Sequence, residues 1–340
     1  MRILLATGEQ YAGGLIPSLK RSGHEFAGII SPARGLFIES SWRPRPLYFR
    51  WRFGTIKSHQ SRQNIPVRVC NSLSDGSLRT WITSLRPDLL LVLGWPNIIP
   101  ENFLAQFPQG GINIHPSVLP LLRGADPIFS SVLNNAKGYG ITFHKMEAEI
   151  DKGNVILQKP LNREDDDSYE TLYFRFLRVA IKLTPLVMKA LQSNSAGVSQ
   201  SGTSSKTTRF HWRYTVYAPD DSPEKIVRKT LACYSHHKMI ALFGKTLFSF
   251  THCTKKKGLV SCSVTTPVIR SVGLRAIVIQ HEKQLLALSG ITLIGTPPWL
   301  SPLRILQRLK KGQFLESVSA TRRTLRDSRL KEKQNSKIQS

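Results

Sequence analysis

Residues 88–120 read DLLLVLGWPNIIPENFLAQFPQGGINIHPSVLP. Leu89–Leu93 is an uninterrupted aliphatic run, the pattern of a parallel strand whose sheet is covered by helices on both faces. Gly111–His115 reads as the next strand. Asp88–Pro100 is broken by Gly94, Pro96 and Asn97 and falls short of the roughly 20 apolar residues that a spanning helix needs. It therefore predicts a buried strand and a loop. Upstream the alternation continues, with Arg2–Ala6 as a strand, Ala12–Arg21 as a helix carrying Leu15, Ile16 and Leu19, and Phe26–Ser31 as a strand. This opening predicts an α/β domain with a doubly wound, mostly parallel sheet. Ser168–Leu191 closes it as a helix, with Asp167 or Ser168 as N-cap and Glu170 in the first turn. Asp165–Asp167 reads as a solvated loop before that cap rather than a metal site.

The periodicity then changes. Ser193–Thr208 (SNSAGVSQSGTSSKTT) is dominated by Ser, Thr and Gly and offers little apolar surface to offset ordering entropy. It is expected to be a linker. Beyond it come one helical segment, Ser222–Tyr234, and short strands at Met239–Phe243, Thr246–Thr251, Leu259–Val264, Leu274–Ile279, Gln284–Leu288 and Ile291–Ile294. That succession predicts a smaller, OB-like β-barrel domain. The expected organisation is residues 1–192, a linker at 193–208, a barrel-like domain at 209–318 and a basic tail at 319–340.

Charge sharpens the division. The 340 residues carry 48 Lys+Arg against 22 Asp+Glu, a formal charge of +26. Residues 1–205 hold 23 and 15 of these, residues 206–340 hold 25 and 7, so the excess sits in the second part. Such a balance makes polyanions the expected partners. Cys70, Cys233, Cys253 and Cys262 are dispersed and never form C-x-x-C, which speaks against a disulfide scaffold, a zinc ribbon or a redox pair. Cys233, His236, His237, His252 and Cys253 match no zinc module. The opening MRILLATGEQ turns polar too soon for a secretory signal, so a cytoplasmic protein is expected.

Polar residues matter most at the carboxyl ends of strands in open α/β sheets. Asn113 and His115, at i and i+2, project from one face of their strand, Ile114 turns away and Pro116 ends the ladder. An amide donor beside an imidazole suits an oxyanion and a proton transfer, and Asp151 is placed to orient that imidazole. The plainer alternative is a strand end whose Asn and His satisfy backbone groups, with Asp151 opening a turn.

The run Asn113-Ile-His-Pro-Ser-Val-Leu-Pro120, followed by Arg123-Gly-Ala-Asp-Pro127, Gly140-Ile-Thr142 and Asp151-Lys-Gly153, resembles the formyltransferases that use 10-formyltetrahydrofolate. The resemblance is clear over residues 85–192, weaker before them and faint but collinear over 206–315, where tRNA-formylating members carry a small β-barrel. It implies a metal-free transfer of a formyl group to a primary amine. Asn113 and His115 would hold the oxyanion, and Asp151 would sustain a charged His115 and help remove the amine proton. Ser117, Val118, Leu119 and Pro120 would line the folate site, with Val118 a conservative departure. The backbone at Leu93–Ile98, including Gly94, Trp95 and Ile98, and at Glu147–Ile150 would flank the pterin. Trp95 is a further departure, suited either to stacking on folate or to plain packing. Arg123 would shape the site; its alternative is an ordinary Arg-Gly turn.

Two regions bear on the acceptor. Residues 33–63 interleave arginines, Arg43 and Arg45 among them, with aromatic residues, a composition suited to phosphates and unstacked bases or to an internal apolar surface under solvated arginines. In the second part Lys255, Lys256 and Lys257 lead a set of bases that would track a tRNA backbone. The leading expectation is formylation of methionyl-tRNA by a monomer that binds folate and tRNA and no membrane. His115-Pro116 resembles purine-pathway and sugar-modifying relatives more, and Leu93-Gly-Trp-Pro96 is atypical of the tRNA-formylating members, so a sugar-nucleotide amine is the alternative acceptor. A non-catalytic RNA-binding derivative is the alternative of another class.

Overall fold

The computed structural model describes residues 1–8, 10–33, 64–233, 238–273, 275–294, 301–317 and 319–327. They fall into two compact units, one of residues 1–131, 136–165 and 171–209, the other of 132–135, 166–170 and 210–340. The Arg/aromatic segment, with Arg43 and Arg45, lies outside the described residues from position 34 to 63.

The first unit is built on a seven-stranded sheet. Its strands are β1 (Arg2–Thr7), β2 (Glu25–Pro32), β3 (Val67–Cys70), β4 (Leu89–Leu93), β5 (Gly111–His115), β6 (Gly140–Lys145) and β7 (Val155–Pro160). The order is β3-β2-β1-β4-β5-β6-β7. Strands β1 to β5 are parallel, and β6 and β7 return antiparallel. The chain thus winds outward from β1 in one direction and resumes at β4 in the other, which opens a crevice at the carboxyl ends of the central strands. All five residues of β4 are buried. Leu90 and Val92 join Leu4, Ala6 and Ile30 in a cluster completed by Leu78 and Ile82 of α2 (Gly76–Leu85) and by Phe103 and Phe107. The alternate residues Leu89, Leu91, Ile3, Leu5 and Ile29 are buried too, so both faces are covered. This explains why the sequence shows a run instead of an alternation. Helix α1 (Leu15–Arg21) packs near α5 (Tyr169–Gln192), where the Ser18 hydroxyl donates to the Ile181 carbonyl at 2.7 Å. Short helices α3 (Glu101–Leu104) and α4 (Pro127–Leu133) flank β5.

Residues 193–208, poor in apolar groups, are nevertheless held along the first unit. Val198 exchanges two backbone hydrogen bonds with Val155 at 2.8 and 2.9 Å, and the segment from Ser205 to Thr207 pairs with Pro120–Arg123. Backbone and side-chain hydrogen bonds, which composition does not reveal, order this stretch.

The second unit has helix α6 (Pro223–Cys233) and two antiparallel sheets in a barrel-like arrangement. One has the order β10-β13-β12-β11, from β10 (His252–Leu259), β11 (Val268–Val272), β12 (Ala276–His281) and β13 (Gln284–Ser289). The other has the order β14-β9-β8, from β8 (Met239–Phe243), β9 (Thr246–Phe250) and β14 (Thr292–Leu293). Residues 314 and 315 bridge to β11 and β8, so one short segment touches both sheets. Tyr217, Phe243, Phe248, Phe250, Ile277, Ile279, Leu286 and Leu288 form the core. The strand expected at Leu259–Val264 instead occupies His252–Leu259, and β11 was not expected. The lysines of β10 hide its alternation, and a break in its pairing between Lys255 and Leu259 disturbs it further. A helix of at least 18 residues apolar enough to cross a membrane is absent among the described residues.

Candidate active site

Strand β5 carries Asn113 and His115 on the face it shares with Val92 of β4, while Ile114 is buried on the other. The antiparallel return of β6 sets His144 opposite Asn113 and Thr142 opposite His115. The β6–β7 turn then brings Asp151 back over the strand end. Asp151 has φ +54°, tolerated best by Asp, Asn and Gly. Two residues on, a Cβ at Gly153 would sit 1.9 Å from the Lys145 carbonyl oxygen. Only glycine closes this turn so tightly.

Around Asp151 the polar groups converge. Its Oδ2 lies 3.6 Å from His115 Nδ1 and accepts from the Gly124 N–H at 2.8 Å. Its Oδ1 lies 3.4 Å from both Asn113 Nδ2 and His144 Nε2. Asn113 Nδ2 is also 3.2 Å from His144 Nε2, and His144 Nδ1 is 2.8 Å from the Lys145 carbonyl. His115 Nε2 stands 2.9 Å from the Leu122 carbonyl. Both neighbours of the His115 ring are therefore acceptors, the arrangement that suits an imidazolium, which donates from both nitrogens. Burial nonetheless pushes its pKa below the ordinary value, against the pull of Asp151. For Asp151, burial would raise the pKa, but His115, His144 and the Gly124 N–H outweigh it and bring it down to about 2. The result is a fixed anion beside a buried imidazole that burial inclines toward its neutral form. Asn113 is half-buried, and His115 is buried.

The stretch expected to line a folate site runs beside this group. Ser117 is fully buried and donates to the Leu121 carbonyl at 2.7 Å. The Val118 N–H donates to the Gly138 carbonyl and the Leu119 N–H to Thr142 Oγ1. The Leu119–Pro120 peptide is cis. Gly94, with φ +63°, ends β4, and its carbonyl accepts from the Gly8 N–H at 3.3 Å. Trp95 packs against the core cluster, and its buried Nε1 finds no hydrogen-bond partner among the described residues. Ile98 and Ile150 are exposed, at 68% and 54%. Arg123 donates from Nη2 to Gln200 Oε1 at 2.7 Å. Lys255, Lys256 and Lys257 belong to the second unit and are exposed, with Lys255 paired to Glu224.

Sequence reading missed His144 and Gln200. His144 stands at i+2 from Thr142 on a strand, so the alternation that singled out Asn113 and His115 also flags it. Gln200 lies 49 residues from Asp151 in a Ser/Gly run and carries no such signal.

Residues 57–188 match the model of the formyl transferase family. Over that stretch the chain is similar to formyl transferases. Among curated relatives, the methionyl-tRNA formyltransferase of Borreliella burgdorferi is 38% identical over 144 residues, 42% of this chain and 44% of the relative. The chain spans about half the length of the curated relatives it matches. Solved structures agree on the fold. HypX from Aquifex aeolicus in complex with tetrahydrofolic acid aligns with a TM-score of 0.63 and 13% identity over 93% of this chain and 50% of that one. WlaRD, a sugar 3N-formyl transferase solved with dTDP and 5-N-formyl-THF, aligns with a TM-score of 0.58 and 17% identity over 85% and 97%. The matched residues 57–188 include the strands and turns that carry Asn113, His115 and Asp151.

Proposed function

We propose that the chain transfers the formyl group of 10-formyltetrahydrofolate to a primary amine, and that the amine is the methionyl amine of methionyl-tRNA. The observation that carries the transfer is the convergence of an open amide, a buried imidazole and a carboxylate held near pKa 2 at the end of β5. A flat heteroaromatic co-substrate fits the residues beside them, since Ile98 and Ile150 expose apolar side chains and Trp95 buries an unpaired indole N–H. Gly94, Trp95 and Ile98 with Ser117, Val118, Leu119 and Pro120 would hold it. 10-Formyltetrahydrofolate would supply the formyl carbon, and tetrahydrofolate would leave with a proton on N10.

The chain's own residues do the rest. Asn113 Nδ2 donates to the oxygen that gains charge as the amine nitrogen bonds to the formyl carbon. Asp151 lets His115 take up the amine proton, which His115 returns as the carbon–N10 bond breaks. Protons balance, because the amine loses one and the folate nitrogen gains one.

The acceptor reading is supported by the names of the relatives over the first unit and by the base-rich second unit, where Lys256 and Lys257 are exposed. The domain division proposed is catalysis in residues 1–192 and tRNA binding in 209–318, with Arg123 shaping the site. An amino-sugar nucleotide is the second reading, favoured by the similarity to a sugar 3N-formyl transferase. The deciding experiment offers 10-formyltetrahydrofolate with charged methionyl-tRNA in one assay and amino-sugar nucleotides in another. Transfer to tRNA that weakens with salt is expected, transfer only to sugar establishes the second reading, and silence in both overturns formyl transfer.

A further inference from the structure

We infer that Gln200 is a positioning residue of this site, holding the Asp151 turn in register with His115. The inference rests on the proposed site. Gln200 uses its whole amide. Its Nε2 donates to the Asp151 carbonyl at 2.8 Å and to the Gly153 carbonyl at 3.0 Å. Its Oε1 accepts from Arg123 Nε and Nη2 at 3.2 and 2.7 Å. One side chain therefore ties the loop after β5 to the turn after β6, the two segments whose mutual position sets the His115–Asp151 distance.

The rest of the strap works on the same two segments. On the β7 side, Val198 bridges Val155, the Ser199 hydroxyl donates to Asn154 Oδ1, and Asn154 Nδ2 donates to the Ala196 carbonyl. On the other side, Ser205 takes the Leu122 N–H on its hydroxyl and the Arg123 N–H on its carbonyl, and the Thr207 N–H reaches the Arg123 carbonyl. Leu122 supplies the carbonyl opposite His115 Nε2, and Gly124 supplies the N–H on Asp151 Oδ2. Both contacts that frame the imidazole–carboxylate pair thus come from backbone that residues 198–207 clamp. Asp151 is one of eight non-glycine residues with positive φ among the described residues, and a side-chain clamp on its carbonyl keeps that conformation from relaxing.

The test compares Gln200→Ala and Gln200→Glu with the wild type. The glutamate keeps the acceptor for Arg123 and loses both N–H donors, so it separates the Asp151 clamp from the Arg123 pair. Two readouts are taken on the full chain: steady-state kinetics of formyl transfer, and the His115 titration followed by imidazole NMR, assigned with His115→Ala. The charged or titratable groups facing the His115 ring are Asp151 from the β6–β7 turn and His144 from β6. Of the two, Asp151 favours the charged ring, and loosening its turn leaves burial and His144 opposed only by the Leu122 carbonyl. Both variants should lower kcat roughly 10–100-fold with KM for 10-formyltetrahydrofolate nearly unchanged, and Gln200→Ala, which adds no charge, should move the His115 titration to lower pH, whereas the new carboxylate of Gln200→Glu opposes that shift and is read by kcat. An unchanged titration in Gln200→Ala overturns the inference, including the case in which kcat falls only in proportion to lost folded protein. If the wild type formylates no acceptor, the proposed function fails while the titration still decides the role of Gln200.

Discussion

Gly153→Ala tests whether the closeness of the β6–β7 turn is what places Asp151. The added Cβ would meet the Lys145 carbonyl oxygen at 1.9 Å and its carbon at 2.8 Å, where real Cβ contacts do not fall under 3.0 Å. The obstacle is backbone, and it is pinned: the Lys145 N–H donates to the Asn154 carbonyl at 2.9 Å, and the Lys145 carbonyl lies 2.8 Å from His144 Nδ1. Relief needs about 1 Å of movement in the turn, at a cost of about 1–3 kcal/mol. For a cooperative unit of about 150–250 residues that lowers Tm by about 2–4 °C per kcal/mol. The same movement opens the 3.6 Å approach of Asp151 to His115, and a misplacement of that size costs about 100-fold in kcat. Gly76→Ala is the control, because nothing lies within 4 Å of its Cβ at the start of α2. It should stabilise by about 0.4–1 kcal/mol through the unfolded chain. Thermal melts and single-turnover formyl transfer on the two variants give both quantities. A Gly153→Ala protein that melts with the wild type and keeps kcat within threefold refutes the account of the turn.

Acid stability carries the signature of the same group. Held at about 2 against an ordinary 3.8, the buried Asp151 carboxylate contributes about 2 kcal/mol, present above pH 3.8 and lost as pH falls through its folded value. His115, pushed down by burial, binds its proton less readily folded than unfolded, so its contribution also declines as pH falls below 6.5. Urea unfolding between pH 7 and 3 should show a shallower loss in Asp151→Asn, and an unaltered slope would remove Asp151 from the acid response. Lys256→Glu with Lys257→Glu should weaken tRNA binding and lessen its dependence on salt, whereas Lys255→Glu chiefly disrupts the pair with Glu224; filter binding across a salt series distinguishes them, and equal affinity for all variants takes β10 out of the interface. Tyr217→Phe removes the hydroxyl 2.8 Å from the buried His281 Nδ1 and should cost about 1–3 kcal/mol, which a melt of wild-type stability would contradict.

Much of this was legible in the residues. The aliphatic run Leu89–Leu93 and the polar pair on Gly111–His115 appear as strands with those bounds, because a doubly covered parallel strand and an i, i+2 pair leave local traces. Asp151 became visible only through the spacing of motifs, since its distance from His115 is set by a turn whose tightness depends on Gly153. Gln200 left no trace: its partners are two carbonyls and a guanidinium, none of which constrains composition nearby. In the second unit the strand over His252–Leu259 was obscured because Thr254 to Lys257 are all exposed and polar, so the period-2 pattern on which strand reading depends is absent.

The bridge between Val155 and Val198 has a consequence for solubility. Strand β7 is the last of its sheet, and an open edge is a template on which a second chain can add a strand. Here Val198 caps the first residue of that edge, while Lys159 and Pro160 at its far end are exposed, a charge and a missing N–H that discourage pairing. Between them the row of edge hydrogen-bonding groups is short. Displacing the strap would lengthen it at the Val155 end, so variants that release residues 196–200 should self-associate through β7 before they unfold.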